Sequence, residues 1–299
     1  MIKNLKTTVI GSYPVDIDAQ CLMLSYYKNE PVKWESYIRS AVDDMVKTGV
    51  DIISDGQTRD SFVNIFVRRL EGCRIRARPE IIAPIRYKKE ITIEDYRYVK
   101  SIIPNNVQLK GVITGPYTLA RSCLDNYYND VEKSAFAFAD ALHEEARKLQ
   151  GTVDYISIDE PFYSEELPVY ANDLISIILR GVDKPSVLHV CGDISNIIPD
   201  LIDTPVDILS HEFKASPNLI DKFKEYWDSS KYICLGAVRS DNPVVESVDE
   251  IKKHITKAFD VFGDRIIHVA PDCGQRLLPR DIAFNKLKNM VEAVKQVRI

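Results

Sequence analysis

Apolar residues along the chain follow two spacings in turn. Short runs that are apolar on both faces read as buried strands: "TTVIGS" (7–12), "VDIISD" (50–55), "VQLKGVIT" (107–114), "DYISIDE" (154–160), "SVLHVCG" (186–192), "VDILSHE" (206–212), "YICLGAV" (232–238) and "RIIHVAPDC" (265–273). Between most of them lie segments of helical period, such as "WESYIRSAVDDMVKTG" (34–49) and "VEKSAFAFADALHEEARKLQG" (131–151). In the second, Ala135, Phe138, Ala139, Leu142, Ala146 and Leu149 share one face, and Gly151 supplies a stop. Eight such β/α units predict an α/β fold, a single TIM (β/α)8 barrel over residues 1–299. Residues 71–106 break the alternation. They predict a hairpin and then a helix, inserted between strands 2 and 3 as a wall of the site rather than a separate domain.

In such a barrel the chemistry gathers where the strands end. Polar residues occupy seven of those ends: Gly11-Ser12-Tyr13, Asp55-Gly56-Gln57, Thr114-Gly115-Pro116, Asp159-Glu160-Pro161, His189-Val190-Cys191, His211-Glu212 and Asp272-Cys273-Gly274.

Composition narrows the class. The chain has 299 residues, 45% apolar and 28% charged, with a net charge of −5. No basic stripe with interleaved aromatics is present, which argues against a nucleic-acid surface. No apolar run approaches the ~18 residues of a membrane span. The start, "MIKNLKTTVIGSYP", carries too short an apolar run for a leader, so the expected location is cytoplasmic. The six cysteines are far apart and read as free thiols.

Two of those cysteines belong to a candidate metal site. Side chains alternate along a strand, so His189 and Cys191 point the same way, and inward if Val187 does. Cys273 closes strand 8 and Glu212 closes strand 6, with His211 as its rival. Together they offer a tetrahedral N/S/O set that suits zinc. The competing reading makes Cys273 a core thiol, Glu212 a surface charge and His189 a hydrogen-bonded core histidine. Coordination deprotonates a thiol outright, whereas a free thiol of pKa ~8.5 is mostly protonated at neutral pH. Two cysteinates and one carboxylate leave a zinc site of formal charge near −1. Such a site suits alkyl transfer to sulfur and suits hydrolysis poorly.

At these residues the chain resembles the cobalamin-independent methionine synthase family, in its C-terminal catalytic barrel. The matching stretches are "VIGSYP", "KGVITGPYT", "SIDEP", "HVC", "DILSHE", "LGAVRSDNP" and "APDCG", in the family's order. The resemblance implies a methyltransferase that forms methionine from L-homocysteine, with Zn2+ held by His189, Cys191, Glu212 and Cys273. It favours Glu212 over His211. It implies that Asp159 holds the substrate's amino group, and that Ile10, Gly11 and Ser12 lie along its amino-acid backbone.

The chain also departs from the family pattern. There is no room for the second, N-terminal barrel of the long folate-dependent members. Gly56-Gln57 stands where the pattern has Gly-Glu, so Gln57 replaces a second carboxylate and its role is open. No Trp follows "TGPYT"; the chain reads Leu119-Ala120-Arg121-Ser122-Cys123, and Trp34 and Trp227 fall in predicted helices. The pterin-stacking face is therefore expected to be absent. On that ground the resemblance to short archaeal core enzymes implies methylcobalamin or a corrinoid protein as methyl donor. The alternatives are a methyl-tetrahydrofolate or methyl-pterin donor, another thiol acceptor such as coenzyme M, and a non-catalytic zinc-binding barrel.

Overall fold

Eight parallel strands run round a ring in chain order: β1 (Lys6–Thr7), β2 (Ile52–Ile53), β3 (Gln108–Thr114), β4 (Tyr155–Asp159), β5 (Ser186–Val190), β6 (Ile208–His211), β7 (Tyr232–Val238) and β8 (Ile266–Pro271). β1 pairs with β8, and a single bridge between Thr8 and Ile52 brings the ring to near closure. Each strand overlaps one of the eight predicted runs, β1 only at Thr7, and helices alternate with them as a TIM barrel requires. The computed structural model describes residues 5–28, 32–228 and 230–297. Of the 1–299 range expected to form one unit, residues 1–4, 29–31, 229 and 298–299 lie outside the described residues.

Side-chain alternation divides the apolar residues between two cores. Ile10, Val187, Ile208, Cys234 and Ala270 meet inside the ring and form a small apolar floor. Their strand neighbours Leu188, Val190, Leu209, Ile233, Leu235 and Val269 belong to the large core between strands and helices. That division explains why the strands read apolar on both faces.

β1 and β2 are two residues long, shorter than the runs that predict them. Past Thr8 the backbone of the first run stops bonding to neighbouring strands. Its carbonyls turn to side chains and a loop instead: Val9 accepts from Lys110 Nζ, Gly11 from Ser54 Oγ at 2.7 Å, and Ser12 from the Gln275 N–H at 2.8 Å. The segment bends at Gly11 and is freed to line a site.

Local signals place the helices. The helix Trp34–Thr48 ends at Gly49, whose φ of 83° is left-handed. The helix Val131–Leu149 starts where the Asp130 carboxylate accepts the Lys133 N–H at 3.1 Å. It finishes two residues before Gly151, with Gln150 as its cap. A reciprocal Ser247–Glu250 capping box opens the helix Val248–Phe262.

The antiparallel hairpin of Leu70–Ile75 and Pro79–Tyr87, with the helix Ile93–Ile102, fills the interruption. A short strand Leu124–Asp125 adds to the hairpin, in a stretch that reads as loop from its sequence. Buried Glu145 of the helix Val131–Leu149 ties the insertion down. Its carboxylate accepts from Tyr87 Oη at 2.9 Å, from the backbone N–H of Ile91 and Thr92 at 2.9 and 2.7 Å, and from Thr92 Oγ1 at 3.0 Å. The insertion is thus bound to the flank of the barrel. The expectation that 71–106 would wall the site is not met, because the residues lining the cavity on that side are Gln57, Ser61 and Phe62.

Candidate active site

A cavity of about 330 Å³ opens at the C-terminal ends of the strands. Ile10, Gly11, Ser12, Gln57, Asp159, His189, Cys191 and Cys273, eight of the nine residues singled out from the sequence, line it. Glu212, the ninth, does not.

β5 and the turns that follow β5 and β8 supply three of the four expected metal donors. Donor atoms of His189, Cys191 and Cys273 all lie within 4.8 Å of one another. His189 shares the inward side of β5 with Val187, two residues before it. Its Nδ1 meets Ser210 Oγ of β6 at 3.1 Å, while its Nε2 is buried with no hydrogen-bond partner. A buried ring nitrogen left over in this way is suited to a ligand bond. The neighbouring Cys191 sulfur, and then burial, push the Cys273 thiol well above its ordinary pKa. Two sulfurs this close resist joint ionisation, and a cation among them reverses that cost. One nitrogen and two sulfurs therefore fit a thiophilic metal ion such as zinc.

Glu212 stands one hydrogen bond away from this group. Its Oε2 accepts the Gly192 N–H at 2.8 Å, next to Cys191 in the chain. His211 lies on the other side of its strand. Its Nδ1 meets the Val190 carbonyl at 3.1 Å, and its ring packs on Phe213 and Phe223. Burial pushes that imidazole down to about 3, so it stays neutral in the outer core.

Asp159 ends β4 directly opposite His189 in the strand ladder. Burial raises its pKa, while His189, Lys110 and the Ser157 hydroxyl, which donates to it at 2.9 Å, work in the opposite direction. A carboxylate in that setting favours a cationic ligand group.

The Gly11 and Ser12 wall is built by close approach. A Cβ on Gly11 would fall 2.8 Å from Gln57 Oε1, and one on Gly274 would fall 2.2 Å from Ser12 Oγ. Gln57 itself has a φ of 45°, a left-handed backbone that non-glycine residues rarely adopt. Its side chain is buried against Gly11 and adds no charge to the cavity.

The structure adds residues that the sequence did not single out. Phe62 and Leu277 are 40% and 93% exposed and provide apolar surface at the mouth. Arg276 and Ser61 complete the rim with Pro161. A motif reading stops at "APDCG", and Arg276 lies two residues beyond it. Phe62 begins a short helix capped by Ser61, whose hydroxyl accepts the Asn64 N–H.

Comparison with known proteins fits this architecture. Residues 5–296 match the family described as cobalamin-independent synthase, catalytic domain. A methionine synthase of Methanocaldococcus jannaschii is 39% identical, over 98% of this chain and 99% of the relative. One from Methanothermobacter marburgensis is 36% identical, over 97% and 99%. A solved B12-independent methionine synthase from Shewanella sp. W3-18-1, in complex with selenomethionine, superposes with a TM-score of 0.82 at 22% identity, covering 98% of this chain and 97% of that one.

The family match corrects one expectation. A donor of the methylcobalamin or corrinoid-protein type is at odds with a family described as cobalamin-independent. That expectation rested on the missing Trp in the loop after β3, together with the single-barrel length and the resemblance to short archaeal core enzymes. The absence of one aromatic removes one stacking face and says nothing in favour of a corrin. The cavity has the volume of a small-molecule site, and Phe62 presents an aromatic surface at its mouth.

Proposed function

Because the chain belongs to the cobalamin-independent methionine synthase family, we propose that it transfers a methyl group to the sulfur of L-homocysteine from N5 of a methylated tetrahydropterin of the folate class. His189, Cys191 and Cys273 would hold a zinc ion, with Glu212 turning in as the fourth ligand. Zinc bound there acidifies the acceptor's thiol and keeps its sulfur electron-rich. Asp159 fixes the acceptor's ammonium, while the Ile10, Gly11 and Ser12 segment runs along its backbone. Phe62 and Leu277 cover the mouth and exclude water from the reacting atoms. An S–CH3 bond forms as the N5–CH3 bond breaks. The thiol gives up its proton, and the departing nitrogen takes one up. Holding sulfur and methyl in line removes much of the entropic part of the barrier.

The observation that carries this reading is the convergence of one imidazole and two thiols within 4.8 Å, in a cavity that also presents Asp159. The test is an assay of the zinc-loaded protein with homocysteine and methyl-tetrahydrofolate. Methionine formation is expected, with loss of at least about 100-fold in Cys273→Ala. Equal turnover by that variant, or none by the zinc-loaded wild type, overturns the reading.

A further inference from the structure

Among the described residues Arg276 has no carboxylate within ion-pair distance, although the carboxylates of Asp55 and Asp60 lie near enough to favour its charge. It lines the cavity three residues after Cys273. One guanidinium nitrogen, Nη1, donates to the Asp60 carbonyl at 2.5 Å, and the other, Nη2, is buried without a partner. The carboxylate of Asp60 is spent elsewhere: it accepts from Arg68 Nε at 2.8 Å, from the Ser61 N–H at 2.8 Å and from Asn64 Nδ2 at 3.0 Å. The other arginines of this region, Arg59, Arg68 and Arg69, each lie beside a carboxylate, of Asp95, Asp60 and Glu94. Among the described residues Arg276 makes no such pair. A half-buried guanidinium with spare donors is costly unless something else completes it.

The loop that carries Arg276 is held in place. The Gln275 N–H donates to the Ser12 carbonyl at 2.8 Å. Ser240 Oγ donates to the Cys273 carbonyl at 2.7 Å and receives the Cys273 N–H at 3.0 Å. The side-chain amide of Gln275 is also buried with neither end partnered. Unsatisfied polar groups thus gather on one pinned loop beside Ser12. Across the ring, β4 brings Asp159 to the same cavity. A cavity with an acid on one wall and an unpaired guanidinium on the other complements a zwitterion.

We propose that Arg276 binds the α-carboxylate of the acceptor and so selects a thiol-bearing amino acid over a simple amino thiol. This rests on the homocysteine reading above. It assigns Arg276 a specificity role beside the Ser12 backbone. Anionic thiols of the sulfonate class share the chemistry that Arg276 offers but bring no ammonium to Asp159, so the two sources separate in one experiment.

The experiment measures binding by calorimetry, and KM and kcat in parallel, for the zinc-loaded wild type, Arg276→Lys and Arg276→Met. The acceptors are homocysteine, 3-aminopropanethiol (which lacks the carboxylate), 4-mercaptobutanoate (which lacks the ammonium) and 2-mercaptoethanesulfonate. Wild type should prefer homocysteine over 3-aminopropanethiol by about 10- to 100-fold, the range of a charged hydrogen bond. Arg276→Met should reduce that preference to near unity, through the acceptor's Kd and KM, with the donor's KM unchanged. Arg276→Lys should fold normally and lie between. Full retention of the preference in both variants overturns the inference, as does a rise confined to the donor's KM. Preference for 2-mercaptoethanesulfonate over homocysteine in wild type overturns the amino-acid assignment. Homocysteine binding with no methyl transfer would sink the proposed reaction and still leave the Arg276 comparison decisive. Failure of wild type to bind homocysteine at all overturns both.

Discussion

The Glu212 carboxylate accepts the backbone N–H of Gly192 at 2.8 Å, one residue beyond Cys191. The residue after β6 is thereby tied to the turn that follows β5, and that strand and turn together supply two of the three clustered donors. The bond holds a carboxylate beside the donor group without placing it inside.

If Glu212 turns in as a fourth ligand, Glu212→Ala should weaken zinc binding by about 10- to 100-fold in chelator competition. Glu212→Gln can keep the bond to Gly192 but offers a neutral oxygen, so it too should bind zinc less tightly than wild type. Wild-type affinity in both variants would make Glu212 a brace for the loop and nothing more.

Gly115 ends β3's polar corner with no room for a side chain. A Cβ there would lie 2.1 Å from Cδ of Glu160, whose buried carboxylate accepts the Tyr117 and Thr118 N–H groups at 3.0 and 2.8 Å. Gly115→Ala must therefore displace Glu160, which neighbours Asp159. Overpacking of this kind costs about 1–3 kcal/mol. A lower urea midpoint is expected, together with a raised KM for homocysteine. An unchanged midpoint would mean that Glu160 has another place to go.

Much of this architecture was legible because burial on both faces leaves a plain mark. The runs around Val187 and Leu209 are continuous in apolar residues, since one side meets the barrel interior and the other the helices. Parity also put His189 and Cys191 on one side of a strand. Parity could not choose between the adjacent His211 and Glu212. What separates them is the outer packing of the His211 ring on Phe213 and Phe223, a contact between distant positions. Arg276 and Phe62 were invisible for a related reason. Arg276 sits on a loop and Phe62 at the first turn of a short helix, and the approach of such segments to the mouth depends on long-range bonds such as Gln275 to Ser12. The shortness of β1 was hidden too, because an extended run reads the same whether its carbonyls bond to a strand or to Lys110 and Ser54.

Lys110 is buried inside the barrel, donates to the Val9 carbonyl, and lies close enough to Asp159 for each charge to act on the other. Among the described residues it forms no ion pair. Its ammonium supports both the segment that leads into Ile10 and the ionised form of Asp159. Lys110→Met should raise the KM for homocysteine by roughly 3- to 30-fold, the effect of losing one nearby charge in a protein interior. Zinc affinity, set by other side chains, should stay within about twofold. A parallel collapse of zinc binding would instead point to a general disruption of the barrel floor.

Asp55 gives the stability a defined pH dependence. Its carboxyl is buried near the end of β2, accepts the Gln57 N–H at 3.1 Å and meets the Tyr96 hydroxyl. Burial, reinforced by Asp95, pushes its pKa up from 3.8 to about 6. The folded chain thus keeps a proton that the unfolded chain releases near pH 4. This contribution to stability is complete below about pH 4 and is lost as pH rises through about 6, at up to about 1.4 kcal/mol per pH unit. Asp55→Asn retains an acceptor for Gln57 and does not titrate. Urea midpoints of wild type and variant should therefore differ least below about pH 4, separate between about pH 4 and 6 with the variant gaining relative to wild type, and keep that gap above about pH 6. A difference that stays constant from pH 4.5 to 7.5 would show that Asp55 keeps one protonation state across that range in the folded protein.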